Sequence, residues 1–257
     1  MQHKPFSYLF SISYFGARFK GWAKQPQQPT VEGKLDRVLR FVLGEGACSF
    51  ISASRTDSGV SCRQGFVQLF VKEKLDIEGL LESINIHLGG EIRLAYVREL
   101  PRDFNLIQEV SQKTYRYFFA EATGFPPFSG AFVTAVPLTR SLAQMQDSAA
   151  CFLGRHNFKV FCQPSPTKST FVREVEAISV FEATDFPKVD PSISLFCVEV
   201  KGAGFLHHQV RKMVHAIWSM NPEQISARLA QPEADWEQIP TAAANGLVLW
   251  ETQLKTS

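Results

Sequence analysis

Residues 6–14, Phe-Ser-Tyr-Leu-Phe-Ser-Ile-Ser-Tyr, alternate large and small side chains with period two, which predicts a half-buried β-strand. Comparable strand patterns recur at 65–71, 114–119, 175–181, 195–200 and 247–251. Helical periodicity separates them. Thr30 is placed as the N-cap of a segment that carries Leu35, Val38, Leu39 and Val42 on one face and closes at Gly44. Asp76 opens a second helix, with Ile77, Leu80, Leu81 and Ile84 at i, i+3, i+4 and i+7, ending near Gly89. Ser141-Leu142-Ala143-Gln144 is a capping box, followed by Met145, Ala149 and Phe152 and stopped by Gly154. A fourth helix is predicted from about 205 to 220, halted by Pro222. Strands and helices therefore recur along the whole chain without the tight βαβ regularity of a parallel sheet. An α+β fold with an antiparallel sheet and helices on one side follows. The Pro/Gly/Ser-rich stretch 124–130 reads as a loop near the midpoint, and the boundary between halves is placed at about 105–110. This gives an N-terminal half, 1–107, and a C-terminal half, 108–257, with no sequence repeat between them.

Composition narrows the class. A chain of 257 residues, 45 % hydrophobic and 20 % charged, can bury a core without a disulfide or metal staple. Its 27 Lys+Arg against 25 Asp+Glu leave a net charge of +2, so any nucleic-acid surface must be a local patch rather than a general polycation. Arg18, Lys20, Lys24, Lys34, Arg37 and Arg40 form such a cluster, the last three recurring every third residue along the first predicted helix. Five cysteines, never spaced C-x-x-C, argue for a reducing compartment. Six histidines, His3 among them, contain no H-E-x-x-H pair, so no metal site is expected. No run approaches 18 apolar residues, and the N-terminus reads as the approach to a strand rather than a signal peptide, so a soluble, cytoplasmic protein is expected.

Three segments carry candidate chemistry. Ser54-Arg55-Thr56-Asp57-Ser58-Gly59 is a polar, turn-forming hexapeptide between apolar flanks, and loops on rigid sheets present catalytic groups. Asp57 stands two residues from Arg55, and an ionised carboxylate is a competent covalent nucleophile. The same residues also satisfy a plain turn in which Asp57 bonds its own backbone. Lys113-Thr114-Tyr115-Arg116-Tyr117 is read as a strand with Tyr115 and Tyr117 on one face and the two basic residues with Thr114 on the other. Aromatic and basic faces together suit a flipped-out base, while an ordinary amphipathic strand with the tyrosines in the core is the plainer reading of the segment alone. Finally, 202–214 runs from a strand through a glycine turn into a helix whose buried stripe is Leu206, Val210, Met213, Val214 and Ile217. Arg211 lies at the border of that stripe, either snorkelling or aimed at an anion. His207 and His208, adjacent on that helix, would point about 100° apart, which is poor for joint metal ligation.

Taken together, these segments resemble TruA-type tRNA pseudouridine synthases from about Tyr14 to Trp250. The stretch Gly21-Trp22 … Gln25 … Thr30-Val31-Glu32-Gly33 … Leu35 resembles the opening loop and helix of that family. Arg55-Thr56-Asp57-Ser58-Gly59-Val60 matches the signature motif, and Lys113–Tyr117 the tyrosine segment. Gly154-Arg155-His156-Asn157-Phe158 … Phe161 and Gly202 … Phe205-Leu206 … Val210-Arg211-Lys212-Met213-Val214 match two further blocks. The chain departs from the usual pattern at Ser54 (Gly), Ser61-Cys62 (His-Ala), Gly89-Gly90 (Leu-Pro), Ala203-Gly204 and Ile107 (Arg), positions that bear on RNA contacts and loop shape.

The resemblance implies two similar α/β halves sharing a mostly antiparallel sheet, with the active-site cleft between them. It implies isomerisation of uridine to pseudouridine in tRNA, at positions 38 to 40 of the anticodon stem-loop, with no cofactor and no metal. Asp57 would be the nucleophile, acting through a sugar adduct or a glycal route. Tyr115 would stack on the uracil and take the C5 proton. Arg55 would fill the space of the flipped nucleotide, and Arg211 would pair with Asp57 and bind substrate. A homodimer, with each tRNA touched by both subunits, is implied as well. A non-catalytic RNA-binding protein or RNA chaperone on the same fold is the alternative reading. A carboxylate-based glycosidase is weaker, because no second carboxylate sits near Asp57 in sequence.

Overall fold

The computed structural model describes residues 4–101, 103–164, 170–184, 186 and 193–255; His3 lies outside the described residues. The chain is an α+β protein in two compact units, Met1–Ser111 with Leu249–Ser257, and Gln112–Val248. The sequence reading divides the halves at 107/108 and leaves the C-terminal strand with the second half. In the structure the division falls after Ser111, and the last nine residues join the first unit. No described helix is long and apolar enough to cross a membrane.

In the first unit, β1 (Phe6–Tyr14), α1 (Val31–Leu43), β2 (Cys48–Ser52), β3 (Ser61–Val71), α2 (Ile77–Leu88), β4 (Ile92–Leu100) and the single turn α3 (Leu106–Glu109) follow in order. β1 runs antiparallel to both β3 and β4, with Phe6 opposite Val71 and Ser7 opposite Leu100. Tyr8, Phe10, Ile12 and Tyr14 are buried, as the period-two pattern requires. Ser7 and Leu9 on the other face are buried too, so β1 is covered on both faces over that stretch rather than half-buried. The register slips near Gly65, between Ile12 and Tyr14, which turns the end of β1 toward the Asp57 loop. α1 starts where Thr30 Oγ1 accepts the Gly33 N–H and buries Leu35 and Leu39. α2 ends at Gly89, whose φ of 67° is the left-handed cap that a leucine there would strain. β4 escapes the sequence reading because it is an edge strand, buried mainly at Ile92, Leu94 and Leu100.

The second unit continues with β5 (Val110–Glu121), which starts two residues before it, then β6 (Thr134–Val136), α4 (Leu142–Ala150), β7 (Gly154–Asn157) and β8 (Val172–Val175). β9 (Ala177–Glu182), β10 (Leu195–Gly202), α5 (Gln209–Ser219) and α6 (Pro222–Ala230) complete it, and β11 (Leu247–Leu254) leads back to the first unit. β10 pairs antiparallel with β5 and β9, β6 adds parallel to β5, and β7 and β8 form a separate ribbon. The capping box of α4 is present in both directions.

Two expectations change here. The single strand at 175–181 is two, because Glu176 turns out of β8 and donates its N–H to the Lys201 carbonyl. The helix expected from 205 begins only at Gln209, since His208 takes a left-handed φ of 60° and cannot start a helical run. Pro222, read as a stop, is also the first residue of α6, where its missing N–H has no cost.

Candidate active site

The Asp57 loop is held from several sides within the first unit. The Tyr14 hydroxyl, at the end of β1, lies 2.7 Å from the buried Thr56 Oγ1. The Trp22 N–H donates to the Thr56 carbonyl at 3.0 Å, and the Gly59 N–H to the Phe19 carbonyl at 3.2 Å. Val60 N–H closes the turn on the Asp57 carbonyl. Thr56, just before the carboxylate, is thus fixed by side chain and backbone, while Asp57 is partly exposed and Arg55 exposed. A turn is present, as the plainer reading required, but it is a clamped one in which Asp57 stays partly exposed.

Glycines permit the clamp. Gly21 has φ of 94°, and a methyl there would sit 3.2 Å from both Ser58 N and the Thr56 carbonyl oxygen. A Cβ on Gly16 would fall 2.1 Å from the Val60 carbonyl oxygen. Its N–H donates to Ser61 Oγ at 2.9 Å, which gives the Ser61 departure a structural use. Cys62 beside it is fully buried, and burial pushes its thiol pKa up, so it stays an inert packing group. Ser54 Oγ is buried and, among the described residues, has no hydrogen-bond partner. The clamp yields a prediction. Gly21→Ala must shift the loop by a few tenths of an ångström or more, and misplacing a catalytic group by ~1 Å costs about 10²-fold. A fall in kcat of up to about that size at unchanged tRNA affinity is expected from single-turnover kinetics; an unchanged kcat would refute the clamp.

In the second unit, β5 corrects the face assignment of 113–117. Strand alternation puts Lys113 with Tyr115 and Tyr117, and Thr114 with Arg116. Arg116 is committed to Glu199 across the strand pair, at 2.7 Å, with Lys201 3.3 Å from the same carboxylate. Its charge is therefore spent on the opposite face. Lys113 is the cation on the tyrosine face, and burial lowers its pKa. Tyr115 is partly exposed and meets Phe205 edge-on at 5.5 Å. Gly202 lets that approach occur, since a Cβ there would lie 2.7 Å from the Glu174 carbonyl and 3.2 Å from the Phe205 ring. Tyr117 is the core residue. It is fully buried, and its hydroxyl lies 2.9 Å from Thr134 Oγ1 and 2.8 Å from the Ala243 carbonyl. Burial pushes its pKa up to about 12, so it cannot serve as a base near neutrality.

Arg211 sits in the first turn of α5, partly exposed, and its Nε donates to the Ala242 carbonyl at 2.7 Å while Ala242 N–H donates back to the Arg211 carbonyl at 3.3 Å. The backbone thus orients its guanidinium, more than free snorkelling would provide. His207 and His208 precede the helix rather than ride on it, and their rings lie 3.9 Å apart at 37°. The 100° separation expected of them does not apply.

Arg55 and Asp57 therefore share one loop of the first unit, and Tyr115 and Arg211 are separately positioned in the second. Tyr14, Phe205 and Ala242 are the supports that motif spacing does not reveal. Period-two burial places Tyr14 inside, but its hydroxyl partner lies 42 residues away.

Comparison with known proteins identifies the family. The family model described as tRNA pseudouridine synthase matches residues 149–253. The chain is 30 % identical over 245 residues to "tRNA pseudouridine synthase A" of Syntrophotalea carbinolica, covering 93 % of each chain. The chain belongs to the tRNA pseudouridine synthase A family. Its similarity to the Thermococcus kodakarensis member is 30 % over 250 residues, 94 % of this chain and 82 % of the relative. To "tRNA pseudouridine synthase A 2" of Bacillus thuringiensis subsp. konkukian it is 29 % over 222 residues, 86 % of each. As a member of this family the chain is an isomerase, and the glycine supports at 21 and 202 lie within the stretches quoted for the resemblance.

Proposed function

We propose that the chain converts uridine to pseudouridine in tRNA, at positions 38 to 40 of the anticodon stem-loop. The observation that carries this is the clamped loop, which holds Thr56 on Tyr14 and Trp22 and presents a partly exposed Asp57 in the same loop as an exposed arginine. In this reading Asp57 attacks the sugar, or abstracts a proton along a glycal route, as the N1–C1′ bond breaks. The uracil turns and rejoins through C5. Tyr115 stacks on the base and removes the C5 proton, aided by the Lys113 charge on its own face rather than by Arg116. Arg55 fills the gap left by the flipped nucleotide, and Arg211 binds substrate. Atoms balance without oxidant, reductant or water. A homodimer and a cytoplasmic location complete the proposal, on the strength of the resemblance. Incubating pure protein with tRNA tritiated at uridine C5 tests it. Tritium release and pseudouridine in the nucleoside digest are expected without added cofactor; binding with neither outcome would turn the reading into the non-catalytic one.

The basic cluster is thinner than its sequence implies. Lys24 and Arg40 both reach Asp36, at 2.7 and 3.0 Å, Arg40 also reaches Glu45, Lys34 reaches Glu91 at 2.6 Å, and Arg18 lies 3.9 Å from the same Glu91 carboxylate. Burial works against Asp36 ionisation, but hydrogen bonds from Lys24 and Arg40 outweigh it and lower its pKa. Lys20 and Arg37 are exposed and have no carboxylate partner among the described residues. Arg37 lines a groove of about 900 Å³ together with Gln25, Gln28 and Thr30. Two available cations imply a contribution of about 1.4–1.8 to the log–log salt slope of tRNA binding, at ~0.7–0.9 per phosphate, rather than the larger value six would give. The double variant Lys20→Met, Arg37→Met should flatten the measured slope by that amount. An unchanged slope would show that RNA passes elsewhere.

A further inference from the structure

Lys212 follows Arg211 on α5, turned about 100° away around the helix axis, and the residue is only 4 % exposed. No carboxylate among the described residues pairs with it. Burial lowers its pKa, opposed by the nearby Cys162 thiol. It lines a pocket of about 150 Å³ together with Cys162, Pro164, Pro232, Trp236 and Gln238. Two other charged side chains line this pocket: Lys159, which is held by Glu233, and Glu237, which is exposed to solvent. Trp236 is fixed as a wall, with its Nε1–H on the Gln231 carbonyl at 2.8 Å and the Arg228 guanidinium 4.6 Å from its ring centroid.

An ammonium group removed from water without a counter-ion is costly, and the cost is relieved when an anion binds. Proline and tryptophan side chains line part of the pocket, where the attraction is less screened than on an open surface. Gln238 offers an amide N–H donor as well. The space equals that of about five waters at ~30 Å³ each, room for a tetrahedral oxyanion. We propose that the Lys212 pocket binds a phosphate group. Its two possible sources are a phosphodiester of bound RNA and free phosphate; the first rests on the functional reading above, the second does not.

Two measurements on Lys212→Met test the site. Thermal unfolding is followed in sodium phosphate and in sodium chloride at matched ionic strength, and tRNA affinity is followed against salt. Phosphate should raise the wild-type midpoint over that in chloride and leave the Met variant unmoved. An RNA phosphodiester in the pocket predicts a log–log slope shallower by about 0.7–0.9 in the variant, one phosphate's worth. Lys212→Arg should restore whichever effect is lost. Either effect supports a phosphate site and names its source; absence of both overturns it. In chloride the Met variant should unfold at the wild-type midpoint or above, because an unpaired buried charge has been removed. A lower midpoint that Lys212→Arg repairs would mark Lys212 as a structural charge and also overturn the site. Pseudouridine formation by the wild type separates the two claims. An inactive protein that still shows the phosphate effect removes the functional reading and keeps the site, while an active protein with neither effect removes only the site.

Discussion

Replacing Asp57 by Asn is expected to lower pseudouridine formation by at least about 10⁴-fold, the scale on which removal of a nucleophile acts. The substitution keeps the shape of the side chain and leaves the clamp untouched, since Thr56 and the backbone of the loop make the bonds to Tyr14, Trp22 and Val60. Melting temperature should therefore hold. Affinity for tRNA should stay within about threefold of wild type, because phosphate contacts made by other residues supply most of it. Product analysis by nucleoside digestion and a filter-binding titration measure the two halves of this expectation. Turnover within about tenfold of wild type would remove Asp57 from the nucleophile's role, given the size of effect anticipated. A matching collapse of affinity would instead show that the carboxylate organises the RNA site.

Tyr115→Phe is expected to reduce turnover by about 10²–10⁴-fold, the usual size of general acid–base assistance. The ring survives, so stacking, worth about 1–3 kcal/mol per base, survives with it. Glycosidic cleavage and rotation can still proceed, but C5 proton loss cannot keep pace. Tritium release should slow more than tRNA binding weakens. Tyr117→Phe, on the same face two residues along, is the comparison. Its hydroxyl is buried against Thr134 and the Ala243 carbonyl, so its loss should cost about 1 kcal/mol of stability with little change in kcat. A lower unfolding midpoint with near-normal turnover is the expected pattern for it. Equal kinetic losses at both tyrosines would mean that strand integrity was being measured, and full activity in Tyr115→Phe would leave that residue only the stacking role.

Local chemistry determined much of this protein from the sequence alone. Period-two alternation at 6–14 and the apolar stripe of 206–217 depend only on which side chains avoid water, and both appear in the structure with those residues buried. Thr30 and Ser141 cap α1 and α4 because capping hydrogen bonds join residues three apart in the chain. The signature hexapeptide and the tyrosine segment were legible for the same reason, as short runs of residue types suited to one chemistry. Tertiary structure decided what depends on residues far apart. Strand pairing brought Glu199 to Arg116 and took that charge away from the tyrosines, leaving Lys113 as their neighbour. The slip at the end of β1 placed Tyr14 on Thr56, turning an ordinary turn into a rigid support. His208's left-handed backbone delayed α5, and the rings of two histidines expected to diverge lie 3.9 Å apart. The buried, unpaired Lys212 is invisible in sequence, where it is one more lysine on a helix; only the packing of α5 against the segments around Cys162 and Trp236 removes it from water. Pattern reports how much water each side chain tolerates, whereas partner, charge balance and backbone strain depend on which distant segments fold against it.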